Sequence, residues 1–397
     1  MFNVTRDHRN VLVLATCQML FGTGRSLLLA TAPLIAYSMA SRKALATLPH
    51  ALVIIGTAMA TIPASLLMRR TGRRIGFILG SLIGALGGAI AALAIVIGHF
   101  WLFCLGTLLF GVFAGFGQLY RFAVADVAAA DFKSRAISLV LAGGVVAAFL
   151  GPELAKWGKD LVGSSEFLGA YLGQILVILL SAVVVSFVDI PKLTPAEEAA
   201  ASRPMLLIMR QPIFIVAALA AMIGQGVMNL LMTATPIVMK LAQHHFSDTA
   251  LVIEWHIAGM FGPGFFTGSL IKRYGEIPII LAGLLLLAAA VVVALSGNTV
   301  FLFWLAMALL GVGWNFAFTA GTSLMTEAHT LSERAKTQSV VNFLIYGTAA
   351  VSALSSGTLL HFFGWRWVNL TALPLIAAAV AATLWVAWLQ RCAARTA

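Results

Sequence analysis

Apolar runs recur along the whole chain, at approximately 11–38, 46–68, 75–97, 100–126, 136–158, 167–189, 212–240, 247–271, 277–296, 299–327, 335–361 and 367–390. An α-helix needs ~20 predominantly apolar residues to cross a bilayer, so the pattern predicts twelve transmembrane helices and an all-α membrane protein. Short loops of basic, glycine and proline residues separate the runs. One longer polar stretch, PKLTPAEEAAASRPMLLIMRQP (191–212), interrupts them. It divides the chain into an N-terminal six-helix bundle (1–190), a linker (191–211) and a C-terminal six-helix bundle (212–397). Within the linker, Met205 and Met209 stand four apart, as the apolar face of a short amphipathic helix would place them. The first run is too long for the hydrophobic region of a signal peptide and lacks an A-x-A cleavage pattern. It reads as the first span.

The two halves repeat each other at a spacing of about 200 residues, in the same orientation, as two parallel six-span units should. SLLMRRTGRRIG (65–76) after span 2 aligns with GSLIKRYGEIPI (268–279) after span 8, pairing Leu67 with Leu270, Arg70 with Arg273 and Gly72 with Gly275. GVFAGF (111–116) aligns with GVGWNF (311–316), and SRA (134–136) with ERA (333–335). The bundles are therefore pseudo-symmetric.

Charge sets the expected orientation. Of the 25 lysines and arginines, 17 fall in the termini, the linker and the loops on their side, and 6 in the opposite loops. The remaining two, Arg25 and Arg121, lie inside spans. Positive loops stay inside, so both termini are expected in the cytoplasm. The formal net charge of +11 is thus a topology signal, not a nucleic-acid surface, because the basic residues sit in short loops between apolar spans. Hydrophobic residues make up 61% of the chain, which leaves no soluble domain in which to build an enzyme. No G-x-x-x-x-G-K-[ST] loop and no nucleophile–base–orienter set is present, so no catalytic or cofactor-binding residues are assigned. Three scattered cysteines, Cys17, Cys104 and Cys392, imply no disulfide framework.

Candidate chemistry concentrates between residues 225 and 260. Met228 and Met232 stand four apart on span 7, and His256 and Met260 four apart on span 8. Residues i and i+4 share a helix face. If the two helices are neighbours, three thioethers and an imidazole converge near mid-membrane, a donor set suited to Cu(I). The repeat-related positions Ser26, Ala30, Val53 and Thr57 offer no soft ligand, so the set belongs to one half and not to the fold. Packing is the competing reading for methionines, and a hydrogen-bonded core imidazole for His256.

Other polar residues at membrane depth widen the choice. Gln18, Met19 and Arg25 on span 1 are expected to face a cavity. Gln225, Asn229, Asn315, Asn342 and Tyr346 would bridge helices or line a pore, and equally suit a flat polar organic substrate stacked on Trp255 or Trp314. Arg121, Asp126, Glu254 and Glu327 are the ionisable candidates for gating or proton transfer, with Asp126 and Glu327 placed to pair with Arg135 and Arg334. His244 and His245, with Met239, stand at the outer end of span 7, where capture of an incoming ion competes with an ordinary solvated loop.

The loop after span 2 resembles the G-x-L-a-D-r-x-G-R-k signature of the major facilitator superfamily. Leu67, Arg70, Gly72, Arg73 and Arg74 fit, while Ser65 and Arg69 replace its Gly and Asp. In the second half Gly268, Leu270, Arg273 and Gly275 fit, with Lys272 at the Asp position. Gly151-Pro152 in span 5 resembles the family's bend motif. The resemblance implies alternating access around a midplane site, in a monomer surrounded by lipid. Met228, Met232, His256 and Met260 are also similar to the paired motif of the CcoA-like copper importers. That narrower resemblance implies copper import, as Cu(I), into the bacterial cytoplasm through the inner membrane for cytochrome oxidase assembly. Copper would be the transported substrate, not a resident cofactor. Relatives without the paired motif resemble riboflavin importers, which gives the alternative of a small organic substrate; a drug exporter is a third reading.

Overall fold

The computed structural model describes residues 6–120, 123–124, 133–163, 165–190, 203–330 and 333–396. In the N-terminal half the elements are α1 (Arg6–Met39), α2 (Leu48–Thr71), α3 (Arg73–Ile97), α4 (Phe100–Gly117), α5 (Lys133–Gly158) and α6 (Leu168–Val185). The linker contributes the five-residue helix Met205–Met209, where the methionine spacing predicts it. The C-terminal half holds α7 (Pro212–Leu241), α8 (Phe246–Phe261, continued by Gly264–Tyr274), α9 (Glu276–Leu295), α10 (Val300–Leu324), α11 (Arg334–Leu370) and α12 (Ala372–Thr396). These accommodate the twelve expected spans.

Two features depart from simple hydropathy. Span 8 is broken at Gly262–Pro263, where proline cannot donate to the helical ladder. Spans 11 and 12 run on as nearly continuous helix, turned only by Gly364 at φ 79° and ψ 177°.

Helix faces explain the packing. On α3, Leu79, Leu82, Leu86 and Leu93 are exposed, whereas Gly80, Gly84 and Gly87 face inward. A Cβ on Gly80 would lie 2.7 Å from Phe116, and one on Gly84 2.7 Å from Phe113. Small residues at helical spacing let α3 and α4 approach closely, as membrane helices require when water no longer drives them together. The outward leucines form a lipid-facing stripe.

Two hydrophobic cores result. One draws almost wholly on residues 11–190 and holds Phe77, Phe103, Phe110 and Phe113; the other draws mainly on residues 208–386, joined by Leu29, Ala30 and Ala148, and holds Met307, Leu284 and Phe303. A small third cluster, Ala51, Ile54, Ala349 and Ala353, joins the halves. The repeat seen in sequence recurs in geometry. Gly72 ends α2 at φ 93° and ψ 154°, and Gly275 ends the α8 continuation at φ 83° and ψ 168°. Likewise a Cβ on Gly111 would strike the Val53 carbonyl, and one on Gly311 the carbonyl of His256, the repeat-related residue.

The described contacts between halves gather at the end opposite the termini. There Phe167 meets Phe246 with ring centroids 4.9 Å apart, Phe149 meets Trp255 at 6.3 Å, and the Gly357 N–H donates to Thr47 Oγ1 at 3.2 Å. This distal end is closed in the described structure.

Candidate functional site

Between the halves lies a cavity built of two overlapping chambers. The deeper one, about 910 Å³ with open solvent counted, is bounded by α1, α2, α7, α8 and α11; the second, about 980 Å³, extends towards the termini along α10 and α11. Both share Gln18, Phe21, Arg25, Gln118, Gly144, Gln225, Met260, Phe261 and Tyr346.

Three of the four expected metal ligands reach this cavity. Met228, Met232 and Met260 line the deeper chamber. His256 does not. It is fully buried, and its Nδ1–H donates to the Met307 carbonyl on α10 at 2.9 Å. Gly311 permits this by bringing α10 against the His256 backbone. Since the acceptor is a carbonyl, Nδ1 carries the proton and Nε2 keeps its lone pair, which has no partner among the described residues. The imidazole therefore has the tautomer of a metal ligand, but it belongs to the α8–α10 seam and not to the cavity wall.

Among the described residues the polar wall is amides, the hydroxyls of Ser26, Thr57 and Tyr346, the His50 imidazole and one cation. Arg25 projects into the cavity from α1 beside Tyr346, its electrostatic neighbour from α11. Among the described lining residues there is no carboxylate. The guanidinium stays charged at any accessible pH, so the chamber holds a fixed positive charge next to the three thioethers. On the floor His50 from α2 meets Asn229 from α7, with Nε2 3.3 Å from Oδ1, and the Asn229 amide donates to the Gln225 carbonyl at 2.8 Å. The Gln225 side-chain carbonyl in turn accepts from Trp314 Nε1 at 2.7 Å. Trp314 stacks on Phe318, centroids 4.9 Å apart and planes 17° from parallel. The result is an aromatic slab held flat against a row of amides.

Several expected residues take other places. Gln18, Gln225, Asn229, Asn342 and Tyr346 line the cavity as the sequence predicts; Met19 and Cys17 do not. Cys17 is buried against Ser181 on α6, its Sγ 3.9 Å from that carbonyl. Trp255 packs outside with Phe149 and Trp304 and is 43% exposed, so it offers no stacking platform to a ligand in the cavity. Asn315 bridges helices, accepting from Thr267 and donating to the Met260 carbonyl at 2.6 Å. His244 lies 2.6 Å from the Asn298 carbonyl, and His245 caps α8, both as structural loop residues. Glu254 is buried on the far side of α8, near Glu153 and Lys156 of α5. Arg121, Asp126 and the Arg135 and Arg334 side chains lie outside the described residues, so the expected pairing with Asp126 and Glu327 falls there too. The sequence reading passed over His50 and Phe261. A histidine inside an apolar span at Leu48-Pro49-His50 was the available signal for the first.

Comparison with known proteins agrees with this architecture. The family model described as Major Facilitator Superfamily matches residues 14–346 and 257–395. The chain is 40% identical over 379 residues, 95% of each protein, to the riboflavin transporter RfnT of Brucella anthropi. It is 28% identical over 366 residues, 88% of this chain and 85% of the relative, to the uncharacterized MFS-type transporter YdeG of Bacillus subtilis. Among solved structures, the POT family transporter PepTSo superposes with TM-score 0.73 at 12% identity, covering 96% of this chain and 98% of that one. The human organic anion transporter MFSD10 does so with TM-score 0.66 at 14% identity, covering 95% and 99%. The expected resemblance to copper importers is thereby corrected: the 40% identical relative is a riboflavin transporter, and the organic-substrate alternative gains where copper loses. With its two repeated bundles around a central cavity, the chain belongs to the Major Facilitator Superfamily and is a secondary transporter, not an enzyme.

Proposed function

We propose that this protein imports riboflavin, or a flat heterocycle of the same kind, across the bacterial inner membrane, with both termini in the cytoplasm. The observation that carries the reading is the chemistry of the cavity wall. Phe21, Phe261, Trp314, Phe318 and Tyr346 supply aromatic faces, while Gln18, Gln118, Gln225, Asn229 and Asn342 supply neutral donors and acceptors. A tricyclic ring needs stacking surfaces, and a ribityl chain needs hydrogen-bonding groups that carry no charge. Offset aromatic pairs contribute about 0.5–1.5 kcal/mol beyond area burial, and the Trp314 ring is already fixed by its bond to Gln225. Similarity to the riboflavin transporter supports the same substrate class.

Copper import is the second reading, favoured by one observation: three buried thioethers on the cavity and a histidine lone pair without a partner among the described residues. Against it stand the position of His256 on the α8–α10 seam and the charge of Arg25, which no described lining residue offsets. The test is uptake of labelled riboflavin into a bacterium unable to make it and lacking its own importer, run beside uptake of radioactive copper. Growth rescue and saturable riboflavin uptake are expected. Copper accumulation without riboflavin uptake would reverse the assignment.

A further inference from the structure

Arg25 is the only permanently charged side chain among the described residues that line the cavity. Arg25 stands in the membrane interior with no carboxylate beside it on the described cavity wall. A cation at this depth is costly and persists where it has a ligand or water to meet. Its neighbours discriminate by shape and polarity. Tyr346 presents a phenol beside it, His50 and Asn229 form a hydrogen-bonded pair across the halves, and Gln225 fixes the indole of Trp314. An electron-rich edge would be drawn to the guanidinium, while the rest of a flat ring could lie along the aromatic wall.

We propose that Arg25 is the specificity-determining residue of the cavity. It would bind the dione ring of a planar heterocycle at its edge, through one ring carbonyl and the unprotonated ring nitrogen beside it, and exclude planar cations of the same size. The inference rests on the organic-substrate reading and refines it: selection is by an acceptor edge, not by ring size or by the ribityl chain. A guanidinium presents two parallel N–H donors to such a carbonyl–nitrogen pair, a match that a lysine ammonium cannot reproduce. The same charge repels a bare metal cation and a cationic dye alike.

The test uses the full-length transporter in nanodiscs, with equilibrium binding read from the fluorescence of three probes. Riboflavin has the dione and the ribityl chain, lumichrome the dione alone, and proflavine a planar tricyclic cation without either. Wild type is expected to bind both dione ligands and to bind proflavine at least about tenfold more weakly. Arg25→Gln should lose at least about tenfold on riboflavin and lumichrome, the low end of a hydrogen bond to a charged group, without weakening proflavine. Arg25→Lys should restore part of the loss. Tyr346→Phe, which removes a single hydroxyl, gives a milder variant if Arg25→Gln does not fold. It should cost lumichrome more than proflavine. Arg25→Gln that binds lumichrome within about twofold of wild type overturns the role of Arg25, as does wild type that prefers proflavine. Lumichrome bound without riboflavin would uphold the dione subsite and remove riboflavin as substrate. Neither bound would remove both.

Discussion

One close approach among the distal contacts leaves no room for a side chain, and a single methyl group there should favour opening. Gly357 on α11 donates its N–H to Thr47 Oγ1 at 3.2 Å, and a Cβ there would lie 2.5 Å from that oxygen, 2.8 Å from the Ala44 carbonyl and 3.1 Å from Thr47 Cγ2. One of these obstacles belongs to the short turn Lys43–Leu45 and two to Thr47, the N-cap of α2, and the backbone carbonyl cannot rotate away. Gly357→Ala must therefore separate α11 from the turn. Overpacking of this kind costs ~1–3 kcal/mol, which the distal-open state avoids. The closed-to-open ratio should fall by roughly 5- to 150-fold, since each 1.4 kcal/mol is a factor of ten. Spin labels at Arg42→Cys and His361→Cys, both exposed at the distal end on opposite halves, report the separation by pulsed electron resonance. Cys17, Cys104 and Cys392 would first be replaced by alanine. A long-distance component should appear in Gly357→Ala and uptake should slow. Gly347→Ala on the same helix is the control, because its Cβ would meet nothing within 4 Å; that change should leave the distances alone. A Gly357→Ala distribution that superposes on that of Gly347→Ala would refute the reasoning.

Three further outcomes follow from the same geometry. Met228→Leu, Met232→Leu and Met260→Leu conserve volume, so each should cost less than about 1.5 kcal/mol of stability; the triple variant should keep riboflavin uptake within about threefold of wild type, whereas a copper carrier would lose its transport. Trp314→Phe deletes the donor that holds the Gln225 side chain at 2.7 Å, and should weaken riboflavin binding by roughly 2- to 10-fold, the span of one neutral hydrogen bond, in a fluorescence titration at matched expression. On the linker, the Arg203 guanidinium meets Glu333 through Nε–Oε1 and Nη2–Oε2, both 2.7 Å, and the Thr330 N–H adds a third bond. These hold the Glu333 carboxyl well below the usual carboxylate range. A depressed folded pKa gives stabilisation that is complete above the unfolded value of ~4.3 and is lost as pH falls towards the folded one; thermal melts should therefore show an acid limb below that pH which Glu333→Gln makes shallower.

The spans were legible because lipid-facing leucines and inward small residues together leave uninterrupted apolar runs. The repeat was legible because Gly72 and Gly275 serve the same turn. The site was legible in part. Spacing places Met228 with Met232, and His256 with Met260, on common faces. It does not say which neighbour each face meets. Residues four apart on a helix are also offset by ~40° around the axis. On α8 that offset accompanies a division of roles: Met260 lines the cavity, and His256 turns to the Met307 carbonyl. Nothing in H-x-x-x-M encodes the closeness of α10, which depends on Gly311 far along the chain. Trp255 and Trp314 illustrate the same limit. Both are tryptophans in apolar spans, yet one faces outward beside Phe149 and the other is pinned to Gln225.

Three methionines in a membrane cavity fit two opposite chemistries, and the charge around them separates the two. A thioether is a soft donor to Cu(I), and it is also an adaptable apolar contact that favours aromatic rings. The first use demands that the site welcome a positive charge. The proposed flavin use makes no such demand, since a neutral ring gains from sulfur and loses nothing to a nearby guanidinium. Arg25 shares the deeper chamber with Met228, Met232 and Met260, and no described lining residue offsets it. Low polarity magnifies that repulsion. A methionine motif read from spacing alone omits this contribution, because the opposing residue lies on α1, some two hundred positions away, and enters the same chamber only when the two bundles close around it.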